Sequence, residues 1–209
     1  TTFINFYYLM SDLKKILSGK TNCKSVWFMR QAGRYLPEFR EIRKENTNFV
    51  NLCLNSELSS KITLQPIKRF DLDSAIIFSD ILMVPYALGQ KLEFIKDEGP
   101  ILSNFNLSNF LDNDKITFTQ KLHPVYKAIE ITRKNLDGKK SLISFIGAPW
   151  TLLIYMLGVK KNKNKIDFEK IKSNDFEVNL IIDKLNEYLC LHIENQINAG
   201  ADVVQIFDS

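Results

Sequence analysis

The chain has 209 residues, 45% hydrophobic and 25% charged, a balance that sets aside disordered, fibrous and membrane-spanning classes and allows one substantial core. Its formal charge of +4 is too diffuse to indicate a nucleic-acid partner, and the densest basic stretch, Lys160 to Lys165, has no interleaved aromatics and reads as a solvated loop. Three scattered cysteines (Cys23, Cys53, Cys190) and two distant histidines (His123, His192) give neither a disulfide framework nor metal-ligand spacing, so no metal is expected and a reducing, cytoplasmic compartment is. No apolar run approaches the roughly 18 residues of a spanning helix, so no membrane partner is expected either.

The first ten residues read as a tail, with Met10 a candidate start, because Ser11 can cap a short amphipathic helix that Gly19 ends. Val26 to Met29 has the composition of a strand, and Pro37 opens a helix through Phe39 and Ile42. Ser56 to Phe70 is helical, bent at Pro66, and leads into the apolar run Ser74 to Phe78, a buried strand. A short helix over Ile81 to Leu88 and a small hairpin through Leu92 to Ile95 and Gly99 follow. Leu122 to Leu136 is a helix, Leu142 to Ile146 a strand, Trp150 starts another helix, Asn179 to Ala199 is a long helix stopped by Gly200, and Asp202 to Phe207 is a last strand.

Four buried strands separated by helices predict an α/β fold of parallel units. Periodicity does not separate a barrel from an open sheet, although no glycine-rich nucleotide loop follows any strand. What is informative is position. Arg30, Asp80, the Gly147-Ala148-Pro149 turn and Asp208-Ser209 each follow a strand, and in a parallel array these points share one rim, where barrel enzymes keep their chemistry. Arg30 and Arg34 bracket Gln31-Ala32-Gly33, and guanidinium groups pair two-pronged with carboxylates; a basic surface turn is the alternative. Asp80 can instead cap the following helix, and Tyr155 can be an ordinary helix aromatic.

The stretch Val26-Trp27-Phe28-Met29-Arg30-Gln31-Ala32-Gly33-Arg34-Tyr35-Leu36-Pro37-Glu38-Phe39-Arg40 resembles the N-terminal signature of uroporphyrinogen decarboxylases. Ile77 to Leu82, Phe145 to Thr151 with Tyr155, and Gly200 to Ser209 are similar to that family in order and spacing. The resemblance implies a (β/α)8 TIM barrel, of which residues 11–209 form about the first half of a single domain. It also implies a homodimer when full length, a tetrapyrrole substrate, and decarboxylation of acetate side chains without a cofactor. Carried over by position, it makes Asp80, Arg30 and Tyr155 catalytic and Arg30, Gln31, Ala32, Gly33, Arg34, Phe78, Asp80, Tyr155 and Ser209 substrate-binding. The arginines are expected to help keep Asp80 ionised, since opposite charges nearby favour the charged form.

Two departures stand out. The lysine-rich loop after Tyr155 replaces the glycines of relatives, and the chain is shorter than the roughly 250 residues of a complete barrel, so these residues alone are expected to need their other half. Alternative readings are a corrinoid-dependent methyltransferase of the same barrel superfamily, which the Arg-Gln-Ala-Gly-Arg loop disfavours, and a truncated non-catalytic porphyrin- or anion-binding relative.

Overall fold

Parallel strands are covered on both faces and therefore read as unbroken apolar runs, and three of the four expected runs form such strands. A computed structural model describes residues 11–22, 24–95, 98–159, 161–162, 165–166 and 175–208. The helices in chain order are α1 (Asp12–Leu17), α2 (Pro37–Glu45), α3 (Phe49–Cys53), α4 (Ser56–Arg69), α5 (Met83–Ala87), α6 (Leu107–Leu111), α7 (Lys115–Asn135), α8 (Pro149–Met156) and α9 (Asp175–Asn198). The strands are β1 (Ser74–Ile76), β2 (Leu92–Ile95), β3 (Gly99–Leu102), β4 (Ser141–Gly147), β5 (Lys161–Asn162), β6 (Lys165–Ile166) and β7 (Val203–Phe207).

The main sheet has the order β1–β4–β7, both pairings parallel, with Ile76 beside Ile143 and Ile143 beside Val203. Alternation sorts its side chains. Ile76, Ile143, Phe145, Val203 and Phe207 form one layer, against which α1 packs Leu13. Ala75, Ile77 and Leu142 face the other way, onto Leu64 of α4 and Ala128 and Ile129 of α7. Burial of an aliphatic side chain of this kind contributes about 1.5–3 kcal/mol, so the α4–α7 layer is what fixes the sheet in place. The two helices also share a buried hydroxyl pair, Thr132 Oγ1 donating to Ser60 Oγ at 2.9 Å.

The N-terminal ends of the strands are tied by ions. Asp202 accepts from Arg133 Nη1 (2.9 Å), Lys14 Nζ (3.1 Å) and the Leu142 N–H (2.9 Å), joining β7, α7, α1 and β4. Gly200 allows the close approach: its φ of +110° suits glycine, and a Cβ there would lie 3.1 Å from Arg133 Cγ.

The expected strand over Val26 to Met29 does not form a ladder. One backbone bond links it to the sheet, Asp73 N–H to the Val26 carbonyl at 3.1 Å. Beyond that, the edge of β1 is occupied by a side chain: Gln31 Nε2 donates to the Ser74 carbonyl (2.8 Å) and Gln31 Oε1 accepts from the Ile76 N–H (3.4 Å). An amide has one donor end and one acceptor end, so it completes a strand edge as a peptide group does. Val26, Phe28 and Met29 are left exposed.

Smaller differences have local causes. Ser11 occupies the N-cap position of α1 but pairs its hydroxyl with Ser141 instead of the helix. α7 begins seven residues before the expected Leu122, because Asp114 caps it through the Ile116 and Thr117 N–H groups. The tail before residue 11 and Lys160, Lys163 and Asn164 of the lysine-rich loop lie outside the described residues. No helix among the described residues is long and apolar enough to cross a membrane.

Candidate active site

The C-terminal ends of β1, β4 and β7 open on one side of the sheet. After β1 the backbone is pinned by α4: Thr63 Oγ1 accepts from the Phe78 N–H (2.8 Å) and Ser59 Oγ donates to the Phe78 carbonyl (2.5 Å). The chain then turns into α5, and in the turn Asp80 Oδ1 accepts from the Leu82 N–H at 2.8 Å. After β4 the chain passes Gly147, where a Cβ would lie 2.8 Å from Leu152 Cδ2 and 3.2 Å from Ile81 Cβ, so the β4–α8 turn and the β1–α5 turn touch only because this position has no side chain. The Ala148 N–H donates to the Phe207 carbonyl (2.8 Å), bringing the end of β7 to the same place.

These ends surround a cavity of about 600 Å³. Arg30, Gln31, Ala32, Phe78, Asp80 and Tyr155, six of the residues singled out from the sequence, line it together. Gly33 and Arg34 lie outside the lining, Arg34 being exposed with its carbonyl accepting from Arg40 Nη1 at 2.8 Å. Ser209 lies outside the described residues.

Asp80 is the electrostatic centre of the cavity. Among the described residues its one hydrogen bond is the Leu82 N–H, and burial raises its carboxyl above the ordinary aspartate range, opposed by that N–H and by the positive charge of Arg30. Arg30 acts in the expected direction, favouring the ionised form, but desolvation is the larger effect, and Arg34 is not among the groups acting on Asp80. Asp80 is not the N-cap of α5, which is Leu82, but its bond to the Leu82 N–H is of the capping type and its carbonyl accepts from the Met83 N–H at 3.2 Å, so it also starts the turn that leads into that helix. Arg30 itself is exposed and makes no ion pair among the described residues.

Gln31 has a different place from the one expected. It is 3% exposed and both ends of its amide are engaged on β1, so it anchors the arginine loop rather than presenting hydrogen-bonding groups to a ligand. Tyr35 reinforces the loop by donating from its hydroxyl to the Gln31 carbonyl.

The sequence reading missed several lining residues. Phe145 and Phe207 lie within strands recognised as such, and their even spacing along the inward-facing layer was the signal available. Phe94 and Pro100 come from the β2–β3 hairpin, which leans over the cavity because Phe94 packs on Phe49 of α3 (ring centroids 4.5 Å apart) and Phe49 on Phe78 (5.6 Å). Nothing in the hairpin's own sequence announces that tertiary contact. Asp208, which the sequence reading did place at this rim, also lines the cavity, accepting from Thr151 Oγ1 at 2.7 Å. No cluster of three or more histidine, cysteine or acidic side chains among the described residues could hold a metal ion.

The family model "Uroporphyrinogen decarboxylase (URO-D)" matches residues 12–209. The chain belongs to that family. It is 48% identical over 196 residues to a uroporphyrinogen decarboxylase of Orientia tsutsugamushi, covering 92% of this chain and 56% of that one. It is 45% identical over 188 residues to one of Campylobacter jejuni (88% and 55%) and 40% identical over 204 residues to one of Rickettsia conorii (96% and 58%). The chain thus spans about half the length of the curated relatives it matches. Among solved structures it is similar to a methyltransferase from Methanosarcina mazei, with a TM-score of 0.71 at 19% identity, covering 93% of this chain and 57% of that one. At that identity the likeness concerns the fold, a partial (β/α) barrel, and carries nothing about methyl transfer.

Proposed function

We propose that the intact protein containing these residues decarboxylates the acetate side chains of uroporphyrinogen III to give coproporphyrinogen III. The observation that carries this reading is Asp80: a carboxylate with one N–H partner, in the same cavity as an unpaired guanidinium, in a chain that matches the decarboxylase family along nearly its whole length.

Removing carbon dioxide from a pyrrole acetate leaves an electron pair that must be stored. The pyrrole stores it if a ring carbon is first protonated, which makes the ring cationic. The bond to the carboxylate then breaks, its electrons neutralise the ring, and a second proton converts the methylene to methyl as the first is returned. Asp80 faces that cation. A carboxylate with a single N–H partner in the free site gains most when pyrrole N–H groups and then a positive charge reach it, so its stabilisation is larger in the transition state than in the ground state. Arg30 is placed to grip the acidic arms, with Arg34 a more distant contributor and Tyr155 closing the helix side. Phe78, Phe145 and Phe207 supply apolar surface for the pyrroles. Ala32 and Gly33 let the loop backbone come near, and the family resemblance assigns a substrate contact to Ser209 as well.

The reading includes a cytoplasmic homodimer with a single barrel domain, working without metal or organic cofactor and without a nucleic-acid or membrane partner. Anaerobic incubation of the intact protein with uroporphyrinogen, followed by chromatography of the oxidised porphyrins, tests it. Conversion of eight-carboxylate to four-carboxylate porphyrin is expected. A folded protein that leaves the substrate unchanged with no cofactor added would overturn the proposal.

A further inference from the structure

The cavity has two walls that belong to separate parts of the chain. The β2–β3 hairpin contributes Phe94 and Pro100, and α8 contributes Tyr155. Phe94 holds the near side of the hairpin to α3 by ring packing. Toward α8, Leu92 and Met156 belong to one apolar core, and a hydrogen-bonding side chain joins the two elements as well. Gln90, 7% exposed, directs both protons of its amide nitrogen to carbonyl groups on different elements: Ser103, just past β3, at 2.9 Å, and Met156, the last residue of α8, at 3.0 Å.

Each bond answers a local need. The final carbonyls of a helix have no partner within it, and Met156 is one of them. Ser103 closes the base of the hairpin, its N–H donating to the Lys91 carbonyl (2.9 Å) and its Oγ accepting from the Lys91 N–H (3.1 Å). The Gln90 N–H in turn donates to the Pro85 carbonyl in α5 at 3.1 Å, so the residue is also seated on the helix that follows Asp80. Two elements that carry cavity residues thus meet at this one side-chain amide, whose own backbone is fixed to α5.

We infer that Gln90 is a positioning residue that sets the width of the cavity between the hairpin wall and Tyr155. It touches no reacting atom; it acts through Ser103 and Met156. A side chain of similar length without donors leaves two carbonyl groups unmatched and frees the hairpin from α8, so the mouth of the cavity fluctuates more widely. The functional consequence rests on the decarboxylase reading: four acetate arms are removed in succession, and a looser cavity releases partly decarboxylated tetrapyrroles before the last step.

The test compares Gln90→Met and Gln90→Glu with the wild-type intact protein by hydrogen exchange and by porphyrin product analysis. Expected for both variants is faster exchange in residues 91–103 and 155–159 together, with α7 as protected as before. Also expected are a rise in KM for uroporphyrinogen of about fivefold to tenfold, the effect of losing one or two hydrogen bonds, with kcat changed much less, and release of seven-, six- and five-carboxylate intermediates. Gln90→Glu places a carboxylate oxygen against carbonyl oxygens and should be the worse of the two. Exchange that rises in neither segment, in only one, or equally throughout the protein overturns the inference. So does wild-type kinetics and product pattern in a variant whose two segments have loosened. A wild-type protein that converts no uroporphyrinogen refutes the proposed function instead, and the exchange data still decide whether Gln90 couples the walls.

Discussion

At the base of the sheet Asp202 accepts from Arg133, from Lys14 and from the Leu142 N–H, whereas at the opposite rim Asp80 accepts from one N–H and is held by burial above the ordinary aspartate range. Both residues lie next to a strand end in the same parallel sheet. They differ in whether the protein itself completes their electrostatics. A carboxylate whose partners are all supplied by the fold contributes to stability; one left short of partners in a cavity is available to a ligand that brings them.

That contrast can be broken at either end. The largest effect is expected for Asp80→Asn, which keeps the size of the side chain and removes its charge: turnover falls about 10²- to 10³-fold while the melting temperature is unchanged or rises, read by steady-state kinetics and thermal unfolding. In the wild type, the raised Asp80 pKa puts the acidic limb of kcat/KM above the ordinary aspartate range, and Asp80→Asn removes that limb. Asp202→Ala is expected to behave in the opposite way, losing roughly 2–3 kcal/mol of stability in denaturant titrations, with little change in activity per folded molecule.

A third titratable group sharpens the comparison, because it is buried away from both ends. His192 of α9 is paired with the Tyr126 hydroxyl at 2.9 Å, and burial pulls its imidazole down from 6.5 to about 3. Between those values the unfolded chain binds the proton and the folded one does not. Stability therefore falls as pH drops below about 6.5, by up to about 1.4 kcal/mol per pH unit, until the folded form is protonated too. His192→Gln should flatten that part of the pH–stability curve and leave it unchanged above pH 7. The smallest effect is expected at the loop: Arg30→Ala raises KM about tenfold with kcat changed less, and Arg34→Ala, outside the cavity lining, raises it less than Arg30→Ala does.

Much of the scaffold was legible in the sequence, for a physical reason. Ser74 to Phe78 and Leu142 to Ile146 are mostly apolar because helices and the inner layer cover both their faces; Asp202 to Phe207 keeps the pattern at the sheet edge, where Ile206 is exposed, and each became a strand. Val26 to Met29 has the same composition and did not. What distinguishes it is Gln31, whose amide reaches a strand more than forty residues on and takes the bonds a fourth strand would have made. Composition reports what a segment can do, not which competitor reaches the edge first. The site divides in the same way. Arg30 and Asp80 were placed by their position after apolar runs, a local property, and Tyr155 by the resemblance to the family pattern. The hairpin wall, Gln90 and the burial of Asp80 depend on contacts between distant segments, and no spacing within one segment carries that information.

The amide of Gln31 has a mechanical corollary. Because it is bolted to Ser74 and Ile76, the arginine next to it takes its coordinates from the strand that, four residues later, delivers Asp80. Thermal breathing of the loop would have to shear those two bonds before its backbone could leave β1. The backbones that bear the opposed charges are therefore tethered to a common strand, and the freedom left between them is that of the exposed Arg30 side chain.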